Sequence, residues 1–274
     1  MKLLIAVDME GISGVINWDQ VKPGTSEWQR FRRIMTEDVN AAIAGALEAG
    51  VDQVIVSDGH WNADNIMIEL LDARATLNSG TPSNFSAVQG IDQAVDAVFF
   101  IGFHARAGTQ TALLDHTWSN QVVGNVWLNE IQVGETGLNA ALCGHFDVPV
   151  LLLSGDQAVC QEAQELIPGI ETVAVKQSTG RYTANCLHPK EAQKRIKEGA
   201  SRAIKAFQNG QGPAVFHVNQ PVRIEIELKS TEMADYVQII PGITRLSGKL
   251  ISFQADDMPA AFALFKTLVR VAGK

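Results

Sequence analysis

The sequence predicts an α/β fold, a largely parallel sheet flanked by helices in three layers, followed by a smaller C-terminal α+β unit. Two observations carry this. Short, wholly apolar runs at Leu3–Val7, Val54–Val56, Ala97–Ile101 and Val148–Leu153 alternate with longer segments of helical periodicity, as strands buried on both faces do. The first three of these runs also stop at chemically active side chains: Asp8 and Glu10, then Asp58 and His60, then His104. In an open parallel sheet such strand ends lie along one edge, where ligands bind.

The elements follow in order. After the first strand and a loop with Pro23 and Gly24, Trp28, Phe31, Met35, Val39, Ile43 and Leu47 recur at helical spacing between about 27 and 49, and Gly50 supplies a stop. The second strand ends in Ser57-Asp58-Gly59-His60, and a polar, Gly- and Pro-containing stretch with one or two short helices leads to the third strand and Gly102-Phe103-His104. Residues 121–133 alternate around Asn129-Glu130 and predict a hairpin that delivers Gly134-Glu135 to a helix over 136–146. A fourth strand, a helix through Leu166 and a fifth strand over 172–175 follow. The tail changes character: an amphipathic helix over 189–208, a Gly-Gln-Gly-Pro linker, an alternating strand over 222–228, further short strands and a helix over 258–271. These features predict two domains, a metal-binding α/β domain over 1–187 and an α+β domain over 188–274.

Composition narrows the function. At 274 residues and 46% hydrophobic content the chain builds a sizeable core. Thirty acidic against 22 basic residues, a net charge of -8, argue against nucleic-acid or anionic-membrane partners. No apolar run approaches a membrane span, and the run before Asp8 is too short for a signal-peptide core, so the expected compartment is the cytoplasm. Cys143, Cys160 and Cys186 lack C-x-x-C spacing and read as reduced thiols, so any metal here is held by oxygen and imidazole. Gly11-Ile12-Ser13-Gly14 is not a phosphate loop, no G-x-S-x-G elbow exists, and Ser154-Gly155-Asp156 reads as turn and helix-cap chemistry.

Each strand-end residue also has a plainer reading, as a helix cap or a satisfied loop residue. Their recurrence favours a shared site. Carboxylates and imidazoles without thiolate suit a hydrolytic two-metal centre, with zinc the best match and one carboxylate bridging ions roughly 3.5–4 Å apart. Lys176 and Arg181 after the fifth strand read as solvated cations or as holders of a substrate carboxylate. A peptide-binding protein without catalysis, or a metal-dependent amidase or phosphatase, stand as alternatives.

The blocks Asp8-Met9-Glu10-Gly11-Ile12-Ser13-Gly14, Ser57-Asp58-Gly59-His60, Gly102-Phe103-His104-Ala105-Arg106-Ala107, Val133-Gly134-Glu135-Thr136-Gly137-Leu138-Asn139-Ala140 and Ala174-Val175-Lys176-Gln177 resemble, in order and over nearly the whole chain, those of the DppA-type zinc D-aminopeptidase family. The resemblance implies two Zn2+ per chain. Asp8 would bridge them, Glu10 and His60 would complete one site, and His104 and Glu135 the other. It also implies a catalytic histidine at His116, within the weakly matching Leu114-Asp115-His116-Thr117, hydrolysis of short peptides from a free amino end, and a ring-like homo-oligomer, a decamer. The long helix carrying Trp28 and Phe31 offers a surface for such assembly.

Overall fold

The computed structural model describes residues 1–274. β1 (Lys2–Val7) leads into α1 (Ser26–Glu48), where the Thr25 hydroxyl oxygen accepts the Trp28 N–H at 3.0 Å and Gly50 ends the helix at a φ of 94°. β2 (Gln53–Asp58), β3 (Ala75–Asn78) and β4 (Ala97–Ile101) follow. β5 (Val123–Leu128) and β6 (Ile131–Val133) form the expected hairpin, and its turn residues Asn129 and Glu130 have φ of 44° and 73°, matching the strand twist. Next come α2 (Glu135–His145), β7 (Val150–Asp156), α3 (Gln157–Leu166), β8 (Glu171–Gly180) and β9 (Thr183–Cys186). The chain closes with α4 (Pro189–Gln208), β10 (Val222–Leu228), α5 (Thr231–Val237), β11 (Thr244–Arg245), β12 (Leu250–Ala255) and α6 (Met258–Ala272).

One sheet has the order β3-β2-β1-β4-β7-β8-β9 and is parallel except for β9, which returns antiparallel to β8. The strand order reverses between β1 and β4, and a reversal of this kind opens a crevice at the carboxyl ends of the strands. Alternate residues of β1 serve opposite faces. Leu3, Ile5 and Val7 pack with α1 and α4, whereas Leu4 and Ala6 join a second cluster containing α2, α3, α6 and the other sheet. That second sheet, β11-β12-β10-β5-β6, is antiparallel, and α6 lies over β10 and β12 and against α2. No helix is long and apolar enough to cross a membrane.

The division between the sheets does not fall at 187/188. Helix α4 packs on α1, β7 and β8, so it belongs to the parallel layer, while the β5–β6 hairpin pairs with β10 in the antiparallel one. The single strand expected over 172–175 runs on to Gly180, because its polar end pairs with β9. β3 is half-exposed at a sheet edge and lacks an apolar run, which hid it from the hydrophobic pattern. Trp28 and Phe31 are buried within the chain and leave no surface for assembly; the exposed large apolar residues include Trp61, Ile68, Ile131, Tyr236 and Ile239 instead.

Candidate metal centre

The loops after β1 and β4 pass in contact, and two glycines allow it. A Cβ at Gly11 would lie 1.9 Å from the Phe103 carbonyl oxygen, and Gly102, at a φ of 77°, would put one 2.3 Å from the Asp8 carbonyl oxygen. Gly11 N–H donates to the Gly102 carbonyl at 2.8 Å, locking the crossing. This crossing brings Asp8 and Glu10 beside His104, and the β2 end adds His60.

His60, His104 and His116 share one design. The Nε2 of His60 lies 2.8 Å from the Val21 carbonyl, while its Nδ1 faces Asp8 Oδ1 at 3.1 Å and Glu10 Oε2 at 3.2 Å. His104 Nδ1 lies 3.1 Å from the Ala105 carbonyl, and its Nε2 faces Glu135 Oε1 at 3.1 Å and Asp8 Oδ2 at 3.3 Å. His116 Nδ1 lies 2.8 Å from the Leu114 carbonyl, and its Nε2 stands 3.8 Å from both Glu10 Oε1 and Glu135 Oε1. A carbonyl can only accept, so each ring donates through that nitrogen and turns the other toward carboxylates. All three rings and both Asp8 and Glu10 are buried, and Asp8 Oδ2 and Glu10 Oε2 have no hydrogen-bond partner. Unpartnered buried oxygens facing ring nitrogens fit a bound cation. Donor atoms of Asp8, Glu10 and His104 gather within 4.8 Å of one another, as do those of His104, His116 and Glu135.

Electrostatics reflects this crowding. Burial and the neighbouring Glu10 push Asp8 up to about 7. Burial alone would raise Glu10 too, but His60 holds it well below the usual carboxylate range; Glu135 is likewise lowered by His104 against its burial. For His60 and His104 burial opposes the charge, yet the facing carboxylates, Glu10 and Glu135 foremost, hold both well above the ordinary histidine value. His116 goes the other way. Burial and the charge of His104, stacked on it with centroids 4.0 Å apart, lower it; the Trp18 ring stands steeply to it, with centroids 5.3 Å apart.

The remaining residues singled out in the sequence have other roles. Asp58 accepts from His60 N–H, Asn65 N–H and Nδ2, and Ile66 N–H, so it shapes the loop bearing His60 and does not join the cluster. Lys176 is neither solvated nor free for a substrate: it is buried, and its Nζ donates to the carbonyls of Glu10 (2.6 Å), Ile12 (2.9 Å) and Val15 (2.8 Å). Arg181 pairs with Asp115 at 2.9 Å and donates to its carbonyl, bracing the loop that carries His116. Asp156 caps α3 as the turn chemistry predicts. Sequence reasoning missed Asn65, which also accepts from Trp28 Nε1 at 2.9 Å, and the Val21 carbonyl, a backbone atom with no residue-type signal.

Comparison with known proteins identifies the family. A family model described as D-aminopeptidase matches residues 1–267. The D-aminopeptidase of Bacillus subtilis (strain 168) is 36% identical over 273 residues, covering 99% of this chain and 98% of that protein. A solved structure, described as Zn-dependent D-aminopeptidase DppA from Bacillus subtilis, a self-compartmentalizing protease, superposes with a TM-score of 0.95 at 36% identity, covering 100% of this chain and 98% of the other. The chain therefore belongs to the D-aminopeptidase family of peptidases.

Proposed function

We propose that this protein is a zinc aminopeptidase that removes a D-residue from the free amino end of short peptides, through a site for two ions. One observation carries the reading: three buried imidazoles are each anchored to a backbone carbonyl and aim the opposite nitrogen at Asp8, Glu10 and Glu135. Nitrogen and carboxylate donors without thiolate suit zinc. Asp8, which faces His60 with one oxygen and His104 with the other, would be shared by both ions; Glu10 and His60 would hold one, and His104 and Glu135 the second. When bound, the ions supply Lewis acidity toward the scissile carbonyl and lower the pKa of water.

The chain's own residues do the rest. His116 is the acid/base group. Its Nδ1–H is fixed by the Leu114 carbonyl, so Nε2 is the atom that takes or gives the proton, and burial favours the neutral ring. The stacked ring of His104 and the steeply inclined ring of Trp18 hold its plane. The relative described as self-compartmentalizing supports self-association of the chain, and the resemblance noted in the sequence makes the assembly a ring-like decamer. A non-catalytic peptide binder would share the cluster, and hydrolysis separates the two. Chelated protein restored with zinc should cleave D-aminoacyl peptides over their L-counterparts in a paired panel; full activity after exhaustive chelation, or a preference for L-peptides, would refute the reading.

A further inference from the structure

A cleft of about 240 Å³ opens on the side of the His116 loop that faces the antiparallel sheet, lined by His116 and Asp115 on one wall and by the ends of β5 and β10 with Lys229 and Lys249 on the other. Only three of its 12 lining residues are hydrophobic, so it is not shaped for a large apolar side chain. Its charges are unevenly matched. Asp115 is paired with Arg181 at 2.9 Å. Glu227 has one oxygen held by Asn125 at 2.6 Å and the other 3.7 Å from Lys249. Lys229, exposed at the rim, takes part in no ion pair. The cleft meets the buried acidic cluster through His116, whose Nε2 faces Glu10 and Glu135, and its lining also presents a free cation and a loosely paired one in a chain whose net charge is -8.

That polarity matches a short zwitterionic peptide: amino end toward the carboxylates and metals, free carboxylate toward the lysines. We infer that this cleft takes the carboxyl-terminal part of the substrate and that Lys229 and Lys249 read its free carboxylate, which makes the enzyme selective for short peptides with an unblocked carboxyl end. The inference rests on the aminopeptidase reading above. Lysine suits the task, being a mobile point charge on a flexible stem that follows carboxylates of slightly different reach.

The test uses zinc-loaded protein and two probes, D-alanyl-D-alanine and its carboxyl-terminal amide, with wild type and the double variant Lys229→Ala/Lys249→Ala. Both lysines are exposed, so the fold should persist, which thermal unfolding and zinc content would verify. The expected result is a KM for the free acid raised roughly tenfold with kcat unchanged, the size expected from losing two partly solvated ion pairs, while KM for the amide stays within about twofold. Equal effects on acid and amide, or no effect on either, would overturn the assignment of the lysines. A zinc-loaded wild type that cleaves neither probe would overturn the aminopeptidase reading itself, and this inference with it, an outcome distinct from the other two.

Discussion

Two groups of buried charge lie close together in this chain, and they differ in what remains unsatisfied. Around Lys176 every polar atom has its partner: the ammonium donates to three carbonyls, and nearby Asp38 accepts from Ser13 N–H at 3.0 Å, Ser13 Oγ at 2.7 Å and Gln193 Nε2 at 3.3 Å. In the metal centre, by contrast, Asp8 Oδ2 and Glu10 Oε2 have no partner, and three ring nitrogens face acceptors. A satisfied buried charge braces structure; an unsatisfied cluster awaits a ligand. The first group serves the second, because Lys176 grips the loop that carries Glu10.

Substitution in each group should therefore break different properties. The largest effect is expected at the cluster. Glu10→Ala, His60→Ala and His104→Ala each remove a donor, and zinc affinity should fall by more than the roughly 10–100-fold typical of outer partners, with hydrolysis falling alongside. Metal analysis after dialysis would check this, and full zinc content in all three variants would erase the distinction between the groups. Lys176→Met should instead act on stability. It leaves the Glu10, Ile12 and Val15 carbonyls without their donor, at about 1–3 kcal/mol each, so the unfolding free energy in denaturant should drop by at least about 3 kcal/mol.

Asp38 offers a pH handle of smaller size. Burial raises it from 3.8 to about 6 in the folded chain, so between these values the native state holds the proton more tightly than the unfolded one. Its stabilising contribution is complete below pH 3.8 and is lost as pH rises through about 6, a change of up to about 3 kcal/mol. Denaturant melts across that window should show this fall in wild type, relative to Asp38→Asn; parallel curves would contradict it. No reaction at all is expected of the two buried thiols, Cys143 and Cys160. Burial pushes Cys160 up to about 12 and Cys143 higher still, so neither should react with a thiol-alkylating reagent while the chain is folded. Rapid labelling of either in native protein would show that this region opens.

What the sequence made legible follows from locality. Asp8, Glu10, His60 and His104 were visible because each sits just past an apolar run, and strand periodicity places such residues on one edge without knowledge of the tertiary fold. Glu135 and His116 were not, since a helix start and an irregular loop reach the centre only through packing; family resemblance alone singled them out. Lys176 misled because a lysine beyond an apolar strand reads as exposed, whereas its partners are backbone carbonyls from a loop more than 160 residues away in sequence. The edge strands β3 and β9 were hidden for a related reason: half-buried strands carry mixed side chains, and their identity comes from the neighbour they pair with.

On the proposed reading, five side chains hold two ions while His116 acts on the reacting group without binding either. By distance alone His116 stands within ligand reach, grouped with His104 and Glu135, so metal content rather than activity decides the matter. The direct measurement is zinc per chain for wild type and His116→Ala, purified and dialysed in parallel, with hydrolysis followed on the same samples. About two ions per chain are expected in both proteins, with turnover lower by roughly 10²-fold or more in the variant. Loss of an ion in His116→Ala would make His116 a ligand, and near-normal turnover by it would remove its acid/base role.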